Sequence, residues 1–183
     1  MRKRIKQSLQ VGNKVIRARA RKVARISSRE TKKVIKNLVD SMRHHNLVGM
    51  AAPQIGKGLR IFVSEIRKTL YRKKNFKKDK LRVFINPRII KKSSHQVISY
   101  EGCGSVASGM LFGQVKRPSS LKIKAFDNKG GSFELSASGL LACIIQHEID
   151  HLNGIVFLDR VTNTRTLLGR EEYIKLGRKK SKK

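Results

Sequence analysis

Apolar side chains recur at three- and four-residue steps through Val34, Ile35, Leu38, Val39 and Met42, the period of a helix with one buried face. Ser27-Ser28-Arg29-Glu30 ahead of them reads as a capping box, and the helix is expected to run to about His44. A second helical pattern joins Leu140, Leu141, Ile144, Ile145 and Leu152, with His147 and His151 on the same side. Ser136 or Ser138 can cap its start, and Gly154 follows its end as a stop. That stretch is apolar around most of its circumference, which predicts a buried helix. Shorter runs read as strands: Leu59 to Val63, Val83-Phe84-Ile85 ended by Asn86-Pro87, Arg88-Ile89-Ile90, Val97 to Tyr100, Ser119 to Phe126, Phe133 to Leu135, and Ile155 to Leu158. Asp127-Asn128-Lys129-Gly130-Gly131 is a hairpin turn signal. Asn46 to Gly58 and the basic stretch 67–80 read as loops, and Arg165 to Lys175 as a last helix. Residues 1–26, basic with scattered Val and Ile, read as an extended arm that packs loosely. The sum is an α+β fold, short antiparallel strands and hairpins wrapped around a central buried helix. One catalytic domain is expected over 1–165, including the basic arm, with a C-terminal helix and basic tail over 166–183.

Composition changes that picture in two ways. A chain of 183 residues can bury a core without staples, and its two cysteines argue against a disulfide framework. No apolar run is long enough for a membrane span, and no signal-peptide stretch follows the basic N-terminus, so a cytoplasmic protein is expected. The charge is the anomaly: 43 Lys and Arg against 12 Asp and Glu give a net charge of +31. Such a field attracts polyanions. The cations concentrate in the arm, in Arg67 to Arg82, and in the tail Gly177-Arg178-Lys179-Lys180-Ser181-Lys182-Lys183.

The chemistry sits on the second helix. Its Gln146-His147-Glu148-Ile149-Asp150-His151 contains His-Glu-x-x-His. Residues four apart share a helical face, so His147 and His151 can grip one metal ion from the same side. Glu148 lies about 100° around the helix, able to reach a water at the site without being a ligand. Two imidazoles leave a hydrolytic site short of a third ligand. Cys103, Cys143, His44, His45, His95 and several carboxylates are available. Ligands at Cys143, His147 and His151 would span about 12 Å of helix axis, too far for one ion. Cys103 is the stronger candidate, because flanking Gly102 and Gly104 leave it backbone room and little cover.

Three ordered stretches then resemble the peptide deformylase family: Leu47-Val48-Gly49-Met50-Ala51-Ala52-Pro53-Gln54, Glu101-Gly102-Cys103-Gly104-Ser105, and Gln146-His147-Glu148-Ile149-Asp150-His151-Leu152. The resemblance implies a metal-dependent hydrolase that removes the formyl group from formyl-methionine at the N-terminus of nascent polypeptides. It implies Cys103, His147 and His151 as ligands of one divalent ion, Fe2+ in the cell with Zn2+, Ni2+ or Co2+ as substitutes. Glu148 would be the general base and acid. The Gln54 side-chain amide and the Gly104 N–H would hold the oxyanion, and Gly49 would offer backbone to the substrate. The chain departs from the family at Leu47, where a glycine is usual, and at Gly104, where leucine is usual. Its stretch 106–116 is longer than usual, and a substrate-steering arginine common there is not evident. Two other readings compete: a zincin-like peptidase with Asp159 as third ligand, and an RNA-binding module with a structural metal. A deformylase meets its substrate at the ribosome, and the basic tail and arm are expected to contact rRNA there.

Overall fold

A computed structural model describes residues 5–69 and 76–180, with side chains through residue 177. The first four residues of the arm, the centre of the basic 67–80 stretch and nearly all of the basic tail's side chains lie outside the described residues. The architecture is α+β, and neighbouring strands in both sheets run antiparallel. In chain order the elements are α1 (Lys14–Arg17), α2 (Arg29–His44), β1 (Gly49–Ala51), β2 (Ile61–Ile66), β3 (Asp79–Lys92), β4 (Gln96–Gly102), β5 (Leu111–Pro118), β6 (Ser120–Phe126), β7 (Ser132–Ser138), α3 (Gly139–Leu152), β8 (Leu168–Gly169) and α4 (Arg170–Lys180). Five strands form one sheet in the order β1-β2-β3-β6-β7, and β4-β5-β8 form a second.

Alternation along the strands decides what each sheet face covers. Phe62, Phe84, Leu121, Ile123, Ala125 and Ala137 point to one face of the large sheet and pack against Ala142, Ile145, Ile149 and Leu152 of α3. Ile61, Val63 and Ile85 point to the other, where Val34, Ile35, Leu38 and Met42 of α2 meet them. Helix α2 begins where the capping residues place it: the Ser28 hydroxyl accepts the Thr31 N–H at 3.1 Å. Helix α3 follows Ser138, whose side chain makes no cap hydrogen bond, and stops before Gly154 at φ +76°. A Cβ at Gly154 would collide with the Arg17 carbonyl, so that turn needs glycine for close approach as well as for its dihedral. Among the described residues, no helix is long and apolar enough to cross a membrane.

Several expectations fail for identifiable reasons. The arm does not pack loosely. Ile16 is fully buried, Leu9 N–H donates to the Gln54 carbonyl, Val11 N–H to Ser105, and Ala20 N–H to Leu152. Asn86-Pro87 does not end its strand, because β3 absorbs it as a bulge. Asn86 takes φ +52°, and its side-chain amide closes a two-bond ring with the Val23 backbone. The supposed loop 106–116 is a short 3-10 turn, Ala107–Gly109, followed by β5. Asn46 to Gly58 contains β1 and a 3-10 turn at Ala52–Ile55. Ile155 to Leu158 is not a strand: a 3-10 turn starts at Phe157, where the Asp159 carboxylate accepts the Val156 N–H at 2.9 Å. The last helix begins at Arg170 rather than Arg165.

Candidate metal centre and catalytic site

The site forms where α3, the end of β4 and the 3-10 turn at Ala52–Ile55 meet. Helix α3 carries His147 and His151 one turn apart, with ring centroids 5.0 Å from each other. The segment leaving β4 brings Cys103 beside them: Cys103 Sγ lies 3.1 Å from His151 Nε2. One donor atom each from Cys103, His147 and His151 falls within 4.8 Å of the others. Among the described residues, no other group of three His, Cys, Asp or Glu side chains could hold a metal ion.

Charge in this chamber is displaced from ordinary values. Burial pushes the Cys103 thiol up, but the imidazoles of His151 and His147 outweigh it and hold the thiol well below its usual range. Burial pushes His147 down, but the thiolate and Glu101 outweigh it, so its pKa is well raised. A buried thiolate flanked by two imidazoles is a place where a divalent cation fits. It would supply the positive charge and leave both rings as neutral donors. The hydrogen bonding agrees. His147 Nδ1 is 2.9 Å from the Glu101 carboxylate, which as its acceptor fixes the tautomer and frees Nε2 for the Cys103 side.

Glu148 points into the same chamber. Burial raises its carboxyl to about 7, against the opposing pull of the two histidines. Its Oε2 is buried with no hydrogen-bond partner, as is His151 Nδ1. A buried carboxylate with one bare oxygen is poised to take a proton from a molecule that enters. A Cβ at Gly49 would overlap Glu148 Oε1 and lie 3.0 Å from Ile144 Cγ2, so β1 passes against the acid with nothing between. Gln54 is locked on the opposite side. Its Oε1 accepts the Ala51 N–H at 2.8 Å, which turns Nε2 toward Ser105 Oγ at 3.3 Å and Cys103 Sγ at 3.6 Å. Gly104 follows Cys103, and its carbonyl accepts from Gln10 Nε2 at 2.9 Å, tying the arm to the site loop.

Behind the histidines lies a polar network that sequence reasoning missed. Arg117, at 4 % exposure, donates to both oxygens of Glu101 and, at 2.8 Å, to Asp150. Asp150 also accepts from Arg160 at 2.7 Å, which opens to solvent. Burial raises Glu101, but Arg117 and His147 outweigh it and hold that carboxyl at about 2. The only sequence signal was the placement of Glu101 and Asp150 beside the motif residues. Nothing marked Arg117, which lies in β5 just beyond the 106–116 stretch and belongs to no element assigned from sequence.

The other candidates lie elsewhere. Cys143 is half-buried, its sulfur 3.9 Å from Ser99 Oγ, and burial raises its thiol. His44 and His45 end α2 edge to face with each other. Asp159 is engaged by Arg17 and the Val156 N–H, so the peptidase reading loses its third ligand.

Comparison with known proteins sets this geometry in context. The profile of the family described as Polypeptide deformylase matches residues 5–166. A peptide deformylase of Dictyoglomus turgidum is 36% identical over 157 residues, 86% of this chain and 93% of that protein. One of Heliobacterium modesticaldum is 39% identical over 155 residues, 85% of this chain and 93% of that protein. Among solved structures, the Met-Ala-Ser-bound class I type b peptide deformylase of Acinetobacter baumannii superposes with TM-score 0.82 at 29% identity, over 87% of this chain and all of that one. The enzyme of Thermotoga maritima gives 0.77 at 29% identity, over 87% of this chain and 99% of that one.

Proposed function

The chain belongs to the polypeptide deformylase family, and on that premise we propose the part each residue plays. The reaction is removal of the formyl group from the N-terminus of nascent peptides, by a metalloenzyme. The observation that carries the residue assignment is the convergence of one thiolate and two imidazoles beside a half-bare, buried carboxylate. Cys103, His147 and His151 would hold the ion. Bound there, it would acidify a water and draw electron density from the formyl oxygen.

The chain's own groups account for the rest. Glu148 accepts the proton of the attacking water as its oxygen bonds to the formyl carbon. The carbonyl oxygen gathers negative charge, and the Gln54 amide and the Gly104 N–H donate to it. Such a donor contributes a few kcal/mol to the transition state. The C–N bond then breaks, and Glu148 passes its proton to the departing amine, so one carboxyl serves as base and then acid. A carboxyl raised to about 7 by burial suits both roles near neutrality. Glu101 and Arg117 keep the His147 ring oriented without touching substrate. Gly49 lies on β1, at the edge of the large sheet, where an extended peptide can add its backbone as a further strand. The close approach of Gly49 to Glu148 and Ile144 leaves little room around the reacting carbon, which admits a formyl hydrogen more readily than a larger acyl group.

A thiolate with two imidazoles accepts several divalent ions, and ferrous iron is the proposed native one, with zinc, nickel or cobalt as substitutes. The proposed setting is the cytoplasm, with the basic arm and tail against rRNA. The test is formate release from formyl-Met-Ala-Ser by protein purified without oxygen. The native chain turns over, and Glu148→Gln loses about 10²–10⁴-fold while keeping its metal and melting temperature. Undiminished turnover in Glu148→Gln would remove that residue from the mechanism.

A further inference from the structure

The half of the large sheet that α2 does not cover carries a fixed lattice of cations. Leu121, Ile123 and Ala125 of β6 face α3, so Lys122, Lys124 and Phe126 face away from the site. Register places Arg88 of β3 directly opposite Lys124, and Lys91 opposite Lys122. Lys124 in turn sits opposite Glu134 of β7, and Lys122 opposite Ser136. Two rows, about 7 Å apart along the strands, therefore hold four cations and one acid. Glu134 bridges to Lys122 at 2.7 Å, and it is also held down by Lys124 and Arg88, so all three surround the same carboxylate.

Like charges directly opposite each other in a sheet destabilise it. Elsewhere the cations with defined partners are matched more evenly: Arg17 with Asp159, Lys36 with Asp40, Arg43 and Arg67 with Glu65, Arg82 with Asp79. Here the excess is rigidly presented, and the exposed ring of Phe126 stands at one end of it beside the hairpin turn.

We propose that this face binds single-stranded RNA, with Arg88, Lys91, Lys122 and Lys124 on successive phosphates and Phe126 stacking on an unpaired base. A flat grid of cations spaced by strand geometry can track a flexible phosphate backbone, and an aromatic ring at its end needs a base that is not already stacked in a duplex. The enzyme's substrate is a nascent peptide, so RNA is the polyanion at hand. The face lies across the sheet from α3, so RNA bound there leaves the peptide cleft open.

The test is fluorescence anisotropy of a labelled twelve-nucleotide uridine RNA with the full chain, over a range of salt. The quadruple variant Arg88→Thr, Lys91→Thr, Lys122→Thr, Lys124→Thr is compared with Arg29→Gln, Lys32→Gln, Lys33→Gln, Lys57→Gln, which removes the same charge from exposed positions outside the arm and the tail. The sheet variant should bind at least tenfold more weakly and lose about 3 from the log–log salt slope, at about 0.7 per contact. The control should keep its slope within about one. The sheet variant should melt no lower than the native chain, since its opposed cations are gone, and deformylate at the native rate. Equal losses in both variants, or no binding by the native chain, would overturn the proposal. So would tighter binding to duplex DNA or to anionic phospholipid vesicles than to the RNA.

Discussion

Replacing Arg117 with Met removes the one group that neutralises two buried carboxylates at once. Met keeps the length of the stem and the packing but none of the hydrogen bonds to Glu101 and Asp150. Asp150 retains Arg160, whereas Glu101 retains only the His147 ring. Depressing the Glu101 carboxyl from 4.5 to about 2 corresponds to about 3 kcal/mol of folding free energy at neutral pH. Stranding one partner of a buried pair costs about 3–5 kcal/mol on general grounds, in agreement. Arg117→Met should therefore lose about 3–5 kcal/mol in urea unfolding at pH 7, and Arg160→Met, at a half-exposed position, under about 1 kcal/mol. The pH dependence has a defined sign. Because the folded-state value is depressed, the Glu101 contribution is fully present above about pH 4.5 and is lost as pH falls toward 2. In Arg117→Met the folded value rises, so that acid-dependent loss should shrink. Adding Glu101→Gln to Arg117→Met should restore part of the stability, because no carboxylate is left uncompensated. Loosening the His147 ring should weaken metal binding about 10–100-fold. A loss below about 1 kcal/mol for Arg117→Met, or one no larger than that of Arg160→Met, would refute the network reasoning.

Two further substitutions probe the walls of the site. Gly49→Ala places a Cβ over Glu148 Oε1 and against Ile144, so steady-state formate release should fall about 10²-fold with the chain still folded; an unchanged rate would contradict the close approach. A Cβ at Gly104 would lie 3.1 Å from Ser8 Oγ and 3.5 Å from Leu47 Cδ1, so a leucine there overpacks and should cost about 1–3 kcal/mol. Combined with Leu47→Gly, part of that cost should be relieved while the Ser8 contact remains, and strictly additive unfolding energies for the two changes would show that the pair is not complementary.

What the sequence could reveal depended on whether the information was local. The α2 boundaries were legible because Ser28 and the 34–42 stripe are local signals. Cys103, His147 and His151 could be named because the motifs carry their spacing, and the fold does bring those donors within reach of one another. That they hold an ion remains the proposal. The continuation of β3 through Asn86-Pro87 was illegible, because the pairing that tolerates the bulge comes from Val23, 63 residues away. The docking of the arm was hidden in the same way: Ile16 packs among Cys103, Val106, Val115, Val156 and Phe157, and the Val11 N–H donates to Ser105, none of them close in sequence. Arg117 was missed because its significance comes from two carboxylates on other elements. Ile155 to Leu158 misled because a short apolar run fits a 3-10 turn capped by Asp159 as well as it fits a strand.

The assignment of Cys103, His147 and His151 to one ion is tested most directly by X-ray absorption at the metal edge of zinc-loaded protein. The account predicts one sulfur at about 2.3 Å and two imidazole nitrogens at about 2.0–2.1 Å, with the sulfur lost in Cys103→Ser. A spectrum without sulfur, or one with four protein ligands that Cys103→Ser leaves unchanged, would contradict it.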